Sequence, residues 1–144
     1  MRETHAILSA LILITTIIMT TMMATPALAV NTTTILSGSD VRISLVNQDP
    51  DPAAAGDTVE LRIGIENQGQ DVKDNLVMEV IPSYPFLALQ GEDLAQTVGT
   101  LTGYQVSSDM RIMKFKMRVD NSATAGDYTL KVWVYKKDNR GTLS

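Results

Sequence analysis

The stretch Met113-Lys114-Phe115-Lys116-Met117-Arg118-Val119 decides the fold of this chain. Its apolar residues alternate with cations at a strict period of two, which is the pattern of a β-strand with one buried face and one face in water. After residue 29, no stretch sustains the 3.6-residue period of a half-buried helix. The pattern therefore predicts strands for the folded part of the chain.

Further runs surround this strand, and residues typical of turns separate them. Four of them alternate clearly and two are weaker: Val41–Leu45, Val59–Ile65, Leu76–Val80 and Tyr128–Tyr135, then Phe86–Leu89 and Leu94–Leu101. Six or seven strands with one apolar face each predict an all-β, immunoglobulin-like antiparallel sandwich of about seven strands. We place this domain at residues 40–137, between a polar linker at 30–39 and a polar tail at 138–144.

The first 29 residues differ from the rest of the chain. Ala6–Met23 is apolar apart from Ser and Thr, and Ala27-Leu28-Ala29 follows it with small residues at the two positions that signal peptidase requires. Pro26 ends the helix just before this site, so the peptide can enter the protease extended. We expect a signal helix within residues 1–29, cleaved after Ala29, and export of the remainder.

Two features of this region leave alternatives open. The 18-residue apolar run is at the lower limit for spanning about 30 Å of hydrocarbon, so an uncleaved signal anchor is the rival interpretation. Asn31-Thr32-Thr33 is an N-x-T sequon just after the cleavage site, which makes Asn31 a candidate for glycosylation in a host that has the machinery.

Composition argues against most kinds of active site. The 144 residues include no cysteine, which excludes disulfides, thiolate metal centres and a thiol nucleophile. The single histidine, His5, lies inside the leader, and the net charge of −4 disfavours nucleic acid. We therefore expect no enzyme activity, no cofactor and no metal.

The order of several short motifs resembles a known family. The motifs are Ala55–Gly69 (A-G-D-x-V-E-L-x-I-x-I-E-N-x-G), Val80-Ile81-Pro82, Tyr84-Pro85-Phe86, Val98–Leu101, Phe115–Asp120 and Ala125–Val132. Taken together they resemble the S-layer-like extracellular domains of archaeal surface proteins, which are immunoglobulin-like modules related to CARDB-type adhesion domains. The resemblance covers about residues 41–136. It implies a secreted or surface-attached structural module without catalysis, although the polar end of this chain lacks the C-terminal anchor that such proteins often carry.

The final predicted strand places two large aromatic residues on the face that should meet water. Trp133 and Tyr135 share this face with Lys131, opposite the apolar Val132 and Val134. Exposed aromatic residues are found at protein and sugar contacts. Trp133 and Tyr135 are therefore the candidate contact residues, and a covering loop within the domain is the alternative explanation for them.

Each of two clusters of charged residues has both a functional and a structural interpretation. Asp49, Asp51 and Asp57 offer oxygen ligands for Ca²⁺, but their spacing matches no calcium loop, and we favour an acidic turn. The cations Lys114, Lys116 and Arg118, with those at 136, 137 and 140, could bind an anionic surface polymer. A solvated strand face that discourages edge pairing is the interpretation we favour for them.

The sequence thus predicts a secreted or cell-surface structural or adhesion module that contacts other envelope proteins. One alternative is a carbohydrate-binding module whose platform combines Trp133 with Tyr135 or Tyr104. Another is an extracytoplasmic accessory domain of a membrane transporter. We expect membrane attachment only through the leader or an anchor outside this chain.

The processing of the leader is directly measurable. Intact-mass and peptide mass spectrometry of the protein from its own host should show a mature chain that begins at Val30, because Ala27 and Ala29 occupy the small-residue positions of the cleavage site. A chain that retains residues 1–29 would contradict the cleaved-signal prediction and support the anchor.

Overall fold

The computed structural model describes residues 28–30 and 40–140 of the chain. The strands in this part are β1 (Leu28–Val30), β2 (Val41–Asp49), β3 (Thr58–Asn67), β4 (Lys73–Ile81), β5 (Phe86–Ala88), β6 (Ala95–Leu101), β7 (Arg111–Val119), β8 (Gly126–Tyr128) and β9 (Lys131–Lys136). One turn of 3-10 helix, Ser107–Asp109, precedes β7. The predicted signal helix and Asn31 lie outside the described residues.

Seven of these strands form two antiparallel sheets. The larger sheet has the order β2-β3-β7-β5, and the smaller one has the order β6-β4-β9. The larger order matches the A-B-E-D sheet of immunoglobulin domains. In the smaller sheet, β4 pairs with β9 as strands C and F pair in an immunoglobulin domain. The third strand, β6, departs from that pattern, because it follows β5 in the chain. The predicted all-β sandwich is confirmed.

The interior lies between the two sheets and follows the predicted alternation. From the larger sheet it takes alternate residues of β3 and β7, such as Leu61, Phe115 and Met117, and from the smaller sheet Met78 and Val132. All five are buried. The cations between them on β7 are exposed, as the period of two requires.

The predicted strand from Tyr128 to Tyr135 is divided in the structure. Its first residue, Tyr128, ends β8, which pairs in parallel with β1, whereas β9 pairs antiparallel with β4. Because the pairing partner changes, Thr129 and Leu130 belong to neither strand. Leu130 is nevertheless buried in the core, so the inward and outward alternation continues through the break.

One residue on the outer face of β3 departs from the alternation rule. Glu66 should meet water but is fully buried, and it accepts hydrogen bonds from Arg42 Nη1 at 3.4 Å and Gln68 Nε2 at 2.9 Å. Two residues earlier, Gly64 has no side chain, and Met110 occupies the space that a Cβ would take. The segment before β7 therefore packs on this end of the sheet.

The packing of the interior can be tested by truncating the largest buried side chain of β7, which is that of Phe115. Phe115→Ala should lower the free energy of unfolding by about 3–5 kcal/mol, because it leaves a cavity among side chains from both sheets. Ile112→Ala is the matched control on the same strand, since Ile112 is 50% exposed, and it should change stability by less than about 0.5 kcal/mol. Urea unfolding measures both. Similar losses in the two variants would contradict the described core.

Candidate contact surface

The outer face of the smaller sheet positions both predicted contact residues. In β9, Val132 and Val134 are buried between the sheets, so Trp133 and Tyr135 point to the other side. The antiparallel register with β4 places Trp133 opposite Glu79. Residues directly opposite in such a pair lie close enough for their side chains to touch. This register therefore brings a carboxylate beside the aromatic pair.

Tyr135 is covered within the domain. Only 9% of it is exposed, and its hydroxyl donates a hydrogen bond to Glu79 Oε2 at 2.9 Å. Burial raises the pKa of the Tyr135 phenol, and the hydrogen bond to the Glu79 carboxylate raises it further. Most of the ring is out of reach of a partner, so Tyr135 orients Glu79 rather than offering a contact.

Arg140 lies in the segment after β9 and also hydrogen bonds to Glu79. Its Nε donates to Glu79 Oε2 at 3.0 Å, and its Nη2 donates to Glu79 Oε1. This two-point geometry is the strong form of an arginine–carboxylate pair. The hydrogen bonds from Arg140, and then that from Tyr135, hold the pKa of Glu79 below its ordinary value. These hydrogen bonds favour the ionised carboxylate although the Glu79 side chain is only 14% exposed.

Trp133 remains the exposed member of the group. The residue is 48% exposed, and the Arg140 guanidinium carbon lies 5.8 Å from the centroid of its ring. That distance is within the range of a cation–π contact. The group Glu79, Trp133, Tyr135 and Arg140, here called the Trp133 cluster, thus presents one large aromatic surface whose neighbours are held by directed hydrogen bonds.

The remaining sequence candidates lie elsewhere. Tyr104 follows β6, where its backbone N donates to Gly69 O at 2.7 Å, and it forms no ring pair with Trp133. The aromatic ring pair among residues 40–140 joins Tyr84 and Tyr128, 5.9 Å apart. The predicted cleavage after Ala29 falls within β1.

The acidic turn has a structural role in the described part of the chain. Asp57 Oδ2 accepts a hydrogen bond from Ala54 N at 2.8 Å, which closes the turn before β3. Within residues 40–140, no three His, Cys, Asp or Glu side chains converge as metal ligands would. Asp49, Asp51 and Asp57 are therefore not brought together as a cation site.

Sequence reasoning found Trp133 but missed two of its neighbours. Glu79 is not among the sequence candidates, and Arg140 enters only as one of several cations. Their pairing spans 61 positions in the chain and depends on the register of β4 with β9. No local pattern carries that information.

Comparison with known proteins identifies no relative. Neither family models nor curated proteins nor solved structures match this chain. In the described part of the chain, no helix is long and apolar enough to cross a membrane.

The Glu79 interactions generate a pH prediction. The folded pKa of Glu79 lies below its ordinary 4.5, so its contribution to stability is present above that pH and is lost as the pH falls through the folded pKa. Glu79→Gln should lower the free energy of unfolding by about 1–2 kcal/mol at neutral pH and make it less sensitive to acid.

Urea unfolding at neutral and acid pH measures this effect. Glu92→Gln is the matched control, because Glu92 is an exposed carboxylate in the turn between β5 and β6. If both variants lose stability equally, or if Glu79→Gln keeps the full acid sensitivity, Glu79 does not have the role assigned to it.

Proposed function

We propose that this chain is a secreted or cell-surface structural module of the S-layer-like, CARDB-related type. It has no catalysis of its own, and it acts by contacting other envelope proteins through Trp133. The sandwich fold, the order of the sequence motifs and the apolar leader support this proposal.

The observation that carries the proposal is the exposure of Trp133 on an ordered sheet face. Trp133 is the only tryptophan of the chain, and the residue is 48% exposed. Tryptophan is enriched among the residues that dominate binding energy at protein interfaces. Since Glu79 and Arg140 hold its surroundings, little conformational entropy is lost when a partner covers the ring.

A protein partner fits this surface better than a sugar. Flat stacking on a glycan favours an open aromatic platform, but Tyr135 is nearly covered and Arg140 already lies over the Trp133 ring. Arg140 remains largely exposed beside the indole, and an arginine–tryptophan pair is typical of the centre of a protein interface.

Site-specific photo-crosslinking in the native host tests the proposal. A photoreactive phenylalanine at position 133 should form a discrete covalent adduct with an envelope protein, because the side chain lies in the contact. The same residue at position 112 is the matched control, since Ile112 has almost the same exposure but lies on the other sheet.

The outcome distinguishes the two partner classes. An adduct specific to position 133 that mass spectrometry identifies as an envelope polypeptide supports the protein contact. Equal labelling from both positions, or no adduct from position 133, contradicts it. Quenching of the Trp133 fluorescence by a neutral glycan would instead favour the carbohydrate-binding alternative.

A further inference from the structure

The outer face of the larger sheet carries a row of cations along β7. Lys114, Lys116 and Arg118 are all exposed and occupy alternate positions of the strand. Successive side chains on one face of a strand are about 7 Å apart, so the three positive charges form a straight line about 14 Å long. Arg62 of β3 lies directly opposite Lys114 and broadens the row.

The charges of this row are only weakly compensated by their neighbours. Among residues 40–140, no carboxylate lies within 4 Å of the ammonium groups of Lys114 and Lys116 or of the Arg118 guanidinium. Glu60 lies opposite Lys116, but its Oε1 accepts from Arg62 Nε at 2.9 Å. The Arg62 hydrogen bond, and more weakly Lys114 and Lys116, lower the pKa of Glu60.

The next carboxylate in the same register is remote from the row. Asp49 is opposite Glu60 on β2 and is therefore two strands, or about 10 Å, away from β7. The four cations thus outnumber the one carboxylate among them, although the whole chain carries a net charge of −4. This concentration of positive charge on an acidic protein is local to one sheet face.

Protection of a strand edge does not account for the whole row. Arg118 lies in the part of β7 that is paired on both sides, with Thr58 of β3 and Leu87 of β5. Beyond β5, Gln96 Nε2 donates to Lys114 O at 2.7 Å and occupies a backbone acceptor at that edge.

We propose that this face binds an extended acidic polysaccharide that lies along β7. Its carboxylates would pair with Lys114, Lys116 and Arg118 in turn, and Arg62 would contact the chain from the side. The site is on the opposite sheet from the Trp133 cluster, so it neither requires nor repeats the protein contact proposed above.

The surroundings favour a polysaccharide over nucleic acid. Proteins that bind single strands interleave their cations with aromatic rings on which bases stack. The outer-face positions that flank this row are Thr58, Leu87 and Ile112, none of which is aromatic. The net negative charge of the chain also opposes the high charge density of a duplex.

Binding to immobilised polygalacturonate tests the proposal. The full chain should bind this polymer at low ionic strength, should bind neutral dextran far more weakly, and should lose affinity as salt is added. The triple variant Lys114→Gln, Lys116→Gln and Arg118→Gln should bind about tenfold or more weakly, because three exposed ion contacts are removed.

A second triple variant distinguishes binding at the β7 row from general electrostatic attraction to the protein. Changing Lys131, Lys136 and Lys137 to Gln removes the same charge from β9 and the turn after it, and should change affinity by less than about twofold. Circular dichroism checks that both variants are folded. Equal losses in the two variants, absence of binding to polygalacturonate, or tighter binding to a DNA duplex than to polygalacturonate would each overturn the proposal. None of these outcomes bears on crosslinking at position 133.

Discussion

The apolar layer between the two sheets is the constraint on which the rest of the structure depends. The chain contains no cysteine, so no disulfide holds the sheets together. Phe115 and Met117 of the larger sheet pack into the same interior as Met78 and Val132 of the smaller one. Because every second side chain of a strand must enter this layer, the intervening residues are obliged to face outward. Both candidate surfaces of the protein follow from this outward orientation of alternate side chains.

The two outer faces offer opposite chemistry. On the smaller sheet, the charge of Glu79 is neutralised within the cluster, since Arg140 and Tyr135 both hydrogen bond to it, and Trp133 is the exposed aromatic group. On the larger sheet, Glu60 forms an ion pair with Arg62 and compensates the row along β7 only weakly. One face is therefore suited to an apolar contact with a polar margin, and the other to long-range attraction of anions. A module with both could hold a protein neighbour and a surface polymer at the same time.

Much of the architecture was predictable because it depends on a local rule. Alternation alone indicated which side of β7 holds Phe115, and it placed Trp133 on the outer side of β9. The same rule was wrong for Glu66, which is fully buried and accepts hydrogen bonds from Arg42 and Gln68. It also did not reveal that Tyr135 is covered, since that depends on how closely Glu79 and Arg140 approach.

The sequence by itself determined most strands of the two main sheets, the side of each that enters the core and the cations that lie in a row on β7. Those properties follow from the period of two, which each strand expresses without reference to any other. Only the tertiary structure decided which strands are neighbours, and therefore that Glu79 meets Trp133, Tyr135 and Arg140 across a span of 61 positions. Register is set by the packing of two whole sheets, so no short segment contains the information that specifies it.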